Sequence, residues 1–77
     1  MTMTARFSSD VEARSPLSRQ DLDLLARLGS GALTSTIASR LGISERTVRR
    51  RLTAICGELG VDTAIEAVVW AARRGLI

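Results

Sequence analysis

At 77 residues the chain has room for one small domain and no inter-domain cleft to hold a catalytic centre, so a compact binding module is the expectation. Its eleven basic residues, all arginine, against eight acidic ones give a net charge of only +3, so any argument from charge rests on where the arginines cluster. With no histidine and one cysteine, Cys56, the sequence excludes an internal disulfide, the usual zinc sites and a histidine-activated thiol; Cys56 is expected to pack as a small hydrophobe.

Residues 1–16 hold no sustained apolar period and are rich in Thr, Ser and charge, so they are expected to form a flexible arm ending at Pro16, the only proline. Arg6 and Arg14 are offset there by Asp10 and Glu12, which favours a tail over a basic arm that seeks a DNA groove. No apolar run approaches the roughly 20 residues needed to cross a membrane, and the N-terminus lacks the apolar stretch of a signal peptide. A cytoplasmic protein in a reducing setting is expected.

Residues 17–77 read as one all-α domain of four helices. Ser18 with Asp21, a short variant of the capping box, opens "RQDLDLLARL", whose Leu22, Leu25 and Leu28 share a face that Leu24 widens. "GSG" at 29–31 stops it. A short second helix runs from about Thr34 to Leu41, with Ile37, Ala38 and Leu41 as its apolar side, and ends at Gly42. The third, over about 44–57, starts from Ser44 as N-cap with Glu45 in its first turn; Val48, Leu52, Ile55 and Leu59 form its buried stripe. Thr63 and Glu66 form a capping box for the fourth helix, "AIEAVVWAARR", which ends at Gly75. No stretch has the alternation of a strand.

Two short helices separated by Gly42 and Ile43 make the helix-turn-helix pattern. Four of the eleven arginines lie within residues 46–51 of its second helix. At about 100° per residue, with Val48 pointing inward, Arg46 and Arg50 face outward with Arg49 and Thr53 beside them, while Arg51 leans to the flank near Thr47. A merely solvated face would alternate in sign, and like charges three and four apart cost a few tenths of a kcal/mol each. A strip of Arg, Arg, Arg and Thr therefore favours a polyanionic partner over simple solubility.

Around these residues "LSRQDLDLL", "IASRLGISERTVRRRLTAICGELGV" and "EAVVWAARRGLI" resemble the LuxR/FixJ-type (GerE-type) helix-turn-helix domain, without gaps from Leu17 to Ile77. The joint spacing of Ile37-Ala38, Ile43-Ser44, Thr47-Val48, Glu66-Ala67-Val68 and Gly75-Leu76-Ile77 carries the resemblance. It implies a tetrahelical domain whose third helix enters the major groove of double-stranded DNA and whose fourth serves as a homodimer contact. The positions that match base-reading residues are Arg49, Arg50 and Thr53. Those expected on the DNA backbone are Thr34, Ser35, Ser44, Arg46, Thr47 and Arg51. The chain departs from the family pattern at Gln20-Asp21, usually Arg-Glu, and at Arg51, usually His. It also carries Leu33, Thr34 and Thr36 where a Ser cap, Asn and Glu are usual, so Thr34 is expected to cap the second helix instead.

The fourth helix is apolar nearly all round, more than one small domain can cover. Ile65, Val68 and Ala72 are expected to face the core. Trp70 either folds over the core as a lid or anchors a two-fold dimer, with Glu66, Val69 and Arg73 in the same interface. The expected function is that of a sequence-specific, DNA-binding transcriptional regulator, a homodimer on an inverted repeat, with RNA polymerase as a further partner. The other reading is a protein-interaction module on the same fold, which docks on the transcription machinery or another regulator and binds DNA weakly. No catalytic residue, cofactor or metal is expected, since the acids do not cluster and no phosphate-binding glycine loop precedes a helix. The start at Met1 and the native-looking arm favour a stand-alone regulator over an excised C-terminal domain.

Overall fold

The computed structural model describes residues 16–77. The expected arm lies outside these residues except for Pro16. Four helices follow: α1 (Arg19–Gly29), α2 (Thr34–Leu41), α3 (Glu45–Leu59) and α4 (Ala64–Arg73). Among the described residues there is no strand, so the architecture is all-α as expected. α3 extends two residues past the expected end.

The helix starts follow from local hydrogen bonding. Ser18 Oγ accepts the Asp21 N–H at 3.1 Å, and the Asp21 carboxylate accepts the Ser18 N–H at 3.3 Å, so an aspartate closes the capping box although it is one methylene shorter than glutamate. Thr63 and Glu66 close the full box at the start of α4, at 3.2 and 3.0 Å. Ser44 Oγ accepts the Thr47 N–H at 3.1 Å at the start of α3.

α2 departs from expectation. Thr34 is its first helical residue rather than its cap; Leu33 holds the N-cap position in an extended backbone and contributes no side-chain hydrogen bond. A leucine side chain has no acceptor, so the first N–H groups of α2 keep no side-chain partner at the cap. Leu33 is also 70% exposed, so its side chain gains little from burial. Leu33→Ser supplies the missing acceptor and is expected to stabilise the domain by about 1 kcal/mol. Thermal unfolding followed by far-UV circular dichroism should then show Tm higher by roughly 5 °C; an unchanged Tm would mean that solvent already satisfies this helix start.

The helix ends share one device. Between α2 and α3, Gly42 takes φ 70°, a left-handed conformation that a Cβ makes costly by about 1–2 kcal/mol. This turns the Ile43 N–H back onto the Ala38 carbonyl at 3.0 Å and the Gly42 N–H onto the Ser39 carbonyl at 3.3 Å. Ile43 then packs against the core, which sets the corner of the helix-turn-helix. The same return bond closes α1 (Ala32 to Arg27, 3.1 Å), α3 (Val61 to Cys56, 3.0 Å) and α4 (Leu76 to Ala71, 3.0 Å). A glycine followed by an apolar residue thus ends each helix, and the apolar residue packs against the core.

Leu24, Leu25, Ile37, Val48 and Ile55 are the largest fully buried side chains, joined by Leu17, Ala38, Leu52, Ala67 and Ala71. α1 packs on α4, α2 on α3, and α3 on α4. The inward edge of α4 is Ala67 and Ala71, with Ala64 and Val68 half-buried beside it. This corrects the expected inward set: Ile65 is 64% exposed and Ala72 is exposed. α1 comes so close that a Cβ at Gly29 would lie 3.0 Å from Val68 Cγ1, so glycine at position 29 is what lets the two helices meet there.

Candidate nucleic-acid interface

With Val48, Leu52 and Ile55 buried, α3 turns Arg46, Arg49, Arg50, Thr53 and Gly57 to solvent. Arg51 and Thr47 are half-buried on its flank. The run of three arginines therefore occupies different environments, as the helix pitch requires. Among the described residues Arg46, Arg50 and Arg51 have no carboxylate partner; Arg49 has one, with Nη1 3.9 Å from Glu45 Oε1.

Two hydroxyl arrangements limit what these side chains offer. Thr53 Oγ1 donates to the Arg49 carbonyl at 3.0 Å, so its proton is committed to the helix and the group presents lone pairs and a methyl. Ser44 and Thr47 share a hydrogen bond between their hydroxyls at 2.9 Å while Ser44 Oγ also accepts the Thr47 N–H. Whichever hydroxyl donates in that bond, one O–H of the pair stays free for an outside acceptor. Thr34, half-buried, and Ser35, exposed, lie in the first turn of α2, next to N–H groups that lack a side-chain cap.

Beside α3 is a shallow open depression of about 320 Å³ lined by Arg49, Leu52, Thr53, Cys56, Asp62 and Ala64. Cys56 is a free thiol, half-buried against the core, in keeping with its expected packing. Among the described residues no polar or charged side chain is buried, and no three His, Cys, Asp or Glu residues gather as a metal site would need. None of the helices there is long and apolar enough to cross a membrane.

On α4 the four residues expected at an interface are not equivalent. The Glu66 carboxylate is engaged by the backbone and hydroxyl of Thr63, at 3.0 and 2.9 Å. Arg73 is exposed. Trp70 is half-buried against the core, and the Arg74 guanidinium carbon sits 4.3 Å from its ring centroid. Val69 is exposed one turn from Ile65, and these two form the open apolar surface of the helix. Ile65 reads as inward from sequence because a helix with apolar residues all round gives no direction. Glu45 is a pairing residue that the sequence signals only through its i, i+4 spacing to Arg49.

Four helices, the middle two joined by a glycine-cornered turn and the second of these carrying outward arginines, define a helix-turn-helix domain of the nucleic-acid-binding kind. The particular family follows from sequence: the profile described as "Bacterial regulatory proteins, luxR family" matches residues 15–71, and the chain belongs to that family. It is 38% identical over 61 residues to "Transcriptional regulatory protein YdfI" of Bacillus subtilis (strain 168), covering 79% of this chain and 29% of that protein. It is 37% identical over 60 residues to "Probable HTH-type transcriptional regulator GfsR" of Streptomyces halstedii, covering 77% of this chain and 25% of that one. The chain thus matches less than a third of the length of these curated relatives.

Proposed function

We propose that residues 17–77 form the DNA-binding domain of a transcriptional regulator, with α3 inserted in the major groove of double-stranded DNA. The observation that carries this reading is the outward strip of Arg46, Arg49 and Arg50 on the second helix of the helix-turn-helix, with Glu45 the one acid among the described residues that pairs with it. Arg49 and Arg50 read base edges, their planar forks suiting guanine. Thr53 joins them through its methyl and lone pairs. Arg46, Arg51, the free hydroxyl of the Ser44–Thr47 pair, and Thr34 and Ser35 at the uncapped start of α2 hold phosphates.

Family membership and the open Ile65–Val69 surface support a two-fold dimer through α4, with Glu66, Trp70 and Arg73 at its rim, acting on an inverted repeat in the cytoplasm. Exposed apolar residues at Leu33, Ile65 and Val69 favour a second reading, in which the domain docks on another protein such as RNA polymerase and holds DNA weakly.

Fluorescence anisotropy with mixed-sequence duplexes over a salt series separates the two. DNA binding that falls linearly in log–log form with salt supports the first reading, and a stoichiometry of two chains per inverted repeat supports the dimer; no binding at low salt supports the second. Arg51→Ala is expected to weaken all duplexes alike and to flatten the slope by about 0.9, the release of one phosphate contact. A sequence-dependent loss on that substitution would move Arg51 to the base-reading set.

A further inference from the structure

We infer that Glu45 is a specificity-determining residue that acts through Arg49: it keeps this arginine aligned for a base edge and discourages it from taking a phosphate. The inference rests on the reading of α3 as the base-reading helix. Glu45 is the first residue of α3, but the cap is made by the Ser44 hydroxyl, and the position that would close a capping box is Thr47, which has no carboxylate. Its carboxylate is therefore left to Arg49, one turn on, at 3.9 Å, in the acid-before-base order that a helix favours. Arg49 also lines the depression beside α3 together with Asp62 from the α3–α4 connection.

Arg46, Arg50 and Arg51 have no such partner among the described residues, which divides the cluster into one guanidinium with a carboxylate beside it and three without. A free guanidinium at a duplex meets phosphates and base edges alike, and only its direction on the helix decides between them. One held beside a carboxylate that phosphate repels is drawn less strongly to the backbone and loses less freedom on meeting a base. The two side chains are 64% and 46% exposed, so solvent screens the pair and its effect is modest.

The test is a double-mutant cycle on the 77-residue chain with Glu45→Gln, Arg49→Ala and both together. A random-library selection supplies the preferred duplex; titrations then use it, its single-pair variants and a random duplex at several salt concentrations. Glu45→Gln is expected to tighten random-duplex binding about threefold and to steepen its salt slope by about 0.9 as Arg49 gains a phosphate. It should weaken preference about threefold at the base pair whose preference Arg49→Ala abolishes. In the Arg49→Ala background Glu45→Gln should leave all base preferences unchanged. Glutamine preserves the helix, and matching circular dichroism melts establish that each variant is folded.

A Glu45→Gln profile identical to wild type overturns the inference. So does an equal effect of Glu45→Gln with and without Arg49, which would make Glu45 a reader of bases itself or a simple contributor to net charge. A wild-type chain that binds all duplexes alike overturns the base-reading role of α3, and the inference with it.

Discussion

Replacing Arg49 and Arg50 together by alanine is expected to bring binding of the preferred duplex close to that of a random one. A bidentate arginine on a base pair gives about 1–3 kcal/mol of discrimination, so two of them amount to roughly 30-fold to 10⁴-fold for each bound chain. Both side chains are exposed, alanine is a better helix former than arginine, and neither contributes to the buried stripe, so the fold should survive intact. Random-duplex affinity should fall by a smaller factor, because Arg46 and Arg51, the proposed phosphate ligands, are left in place. The quantity to measure is the ratio of the two Kd values at one fixed salt concentration, since salt alone moves both. A ratio equal to that of the wild type would remove base reading from this part of α3 and leave the arginines as phosphate ligands.

The arginine face was legible in the sequence because the α3 stripe of Val48, Leu52 and Ile55 is cleanly periodic, and a helix with one buried face fixes the direction of every other residue. The helix starts at Ser18, Ser44 and Thr63 were equally legible, since capping depends on atoms only three residues apart. α2 was not, because Thr34 has a capping side chain and Leu33 does not, yet the chain enters helical geometry one residue earlier than composition suggests. The direction of α4 was hidden for a different reason. Its inward edge is the small pair Ala67 and Ala71, beside the place where α1 meets Val68 at Gly29, whereas hydrophobicity points to the larger Ile65. The Thr53 bond to the Arg49 carbonyl depends on a rotamer, which no pattern of residue types encodes. Local and periodic features could thus be read from the chain, while tertiary distances and side-chain rotamers required the fold.

Ile55→Ala tests the dependence of recognition on the core, because Ile55 lies on the same helix as the arginines but points the other way. It is 1% exposed and belongs to the cluster that joins α3 to the remaining helices. Removing its three outer carbons costs the transfer term and leaves a cavity, about 2–5 kcal/mol in all. A domain of this size holds only about 3–9 kcal/mol at the usual stability per residue, so the substitution consumes most of its margin. Tm should fall by 10 °C or more, on the order of 4–8 °C per kcal/mol. Arg50→Ala on the opposite face should leave Tm within about 2 °C. Apparent DNA affinity should also weaken in Ile55→Ala, because part of the free chain is unfolded, but a saturating duplex binds the native state and restores the fold by mass action. The ranking of duplexes should therefore match the wild type even where every Kd is raised by the same factor. A changed ranking would show that the cavity tilts α3 in its seat, and that Ile55 sets the angle at which the arginines meet the groove.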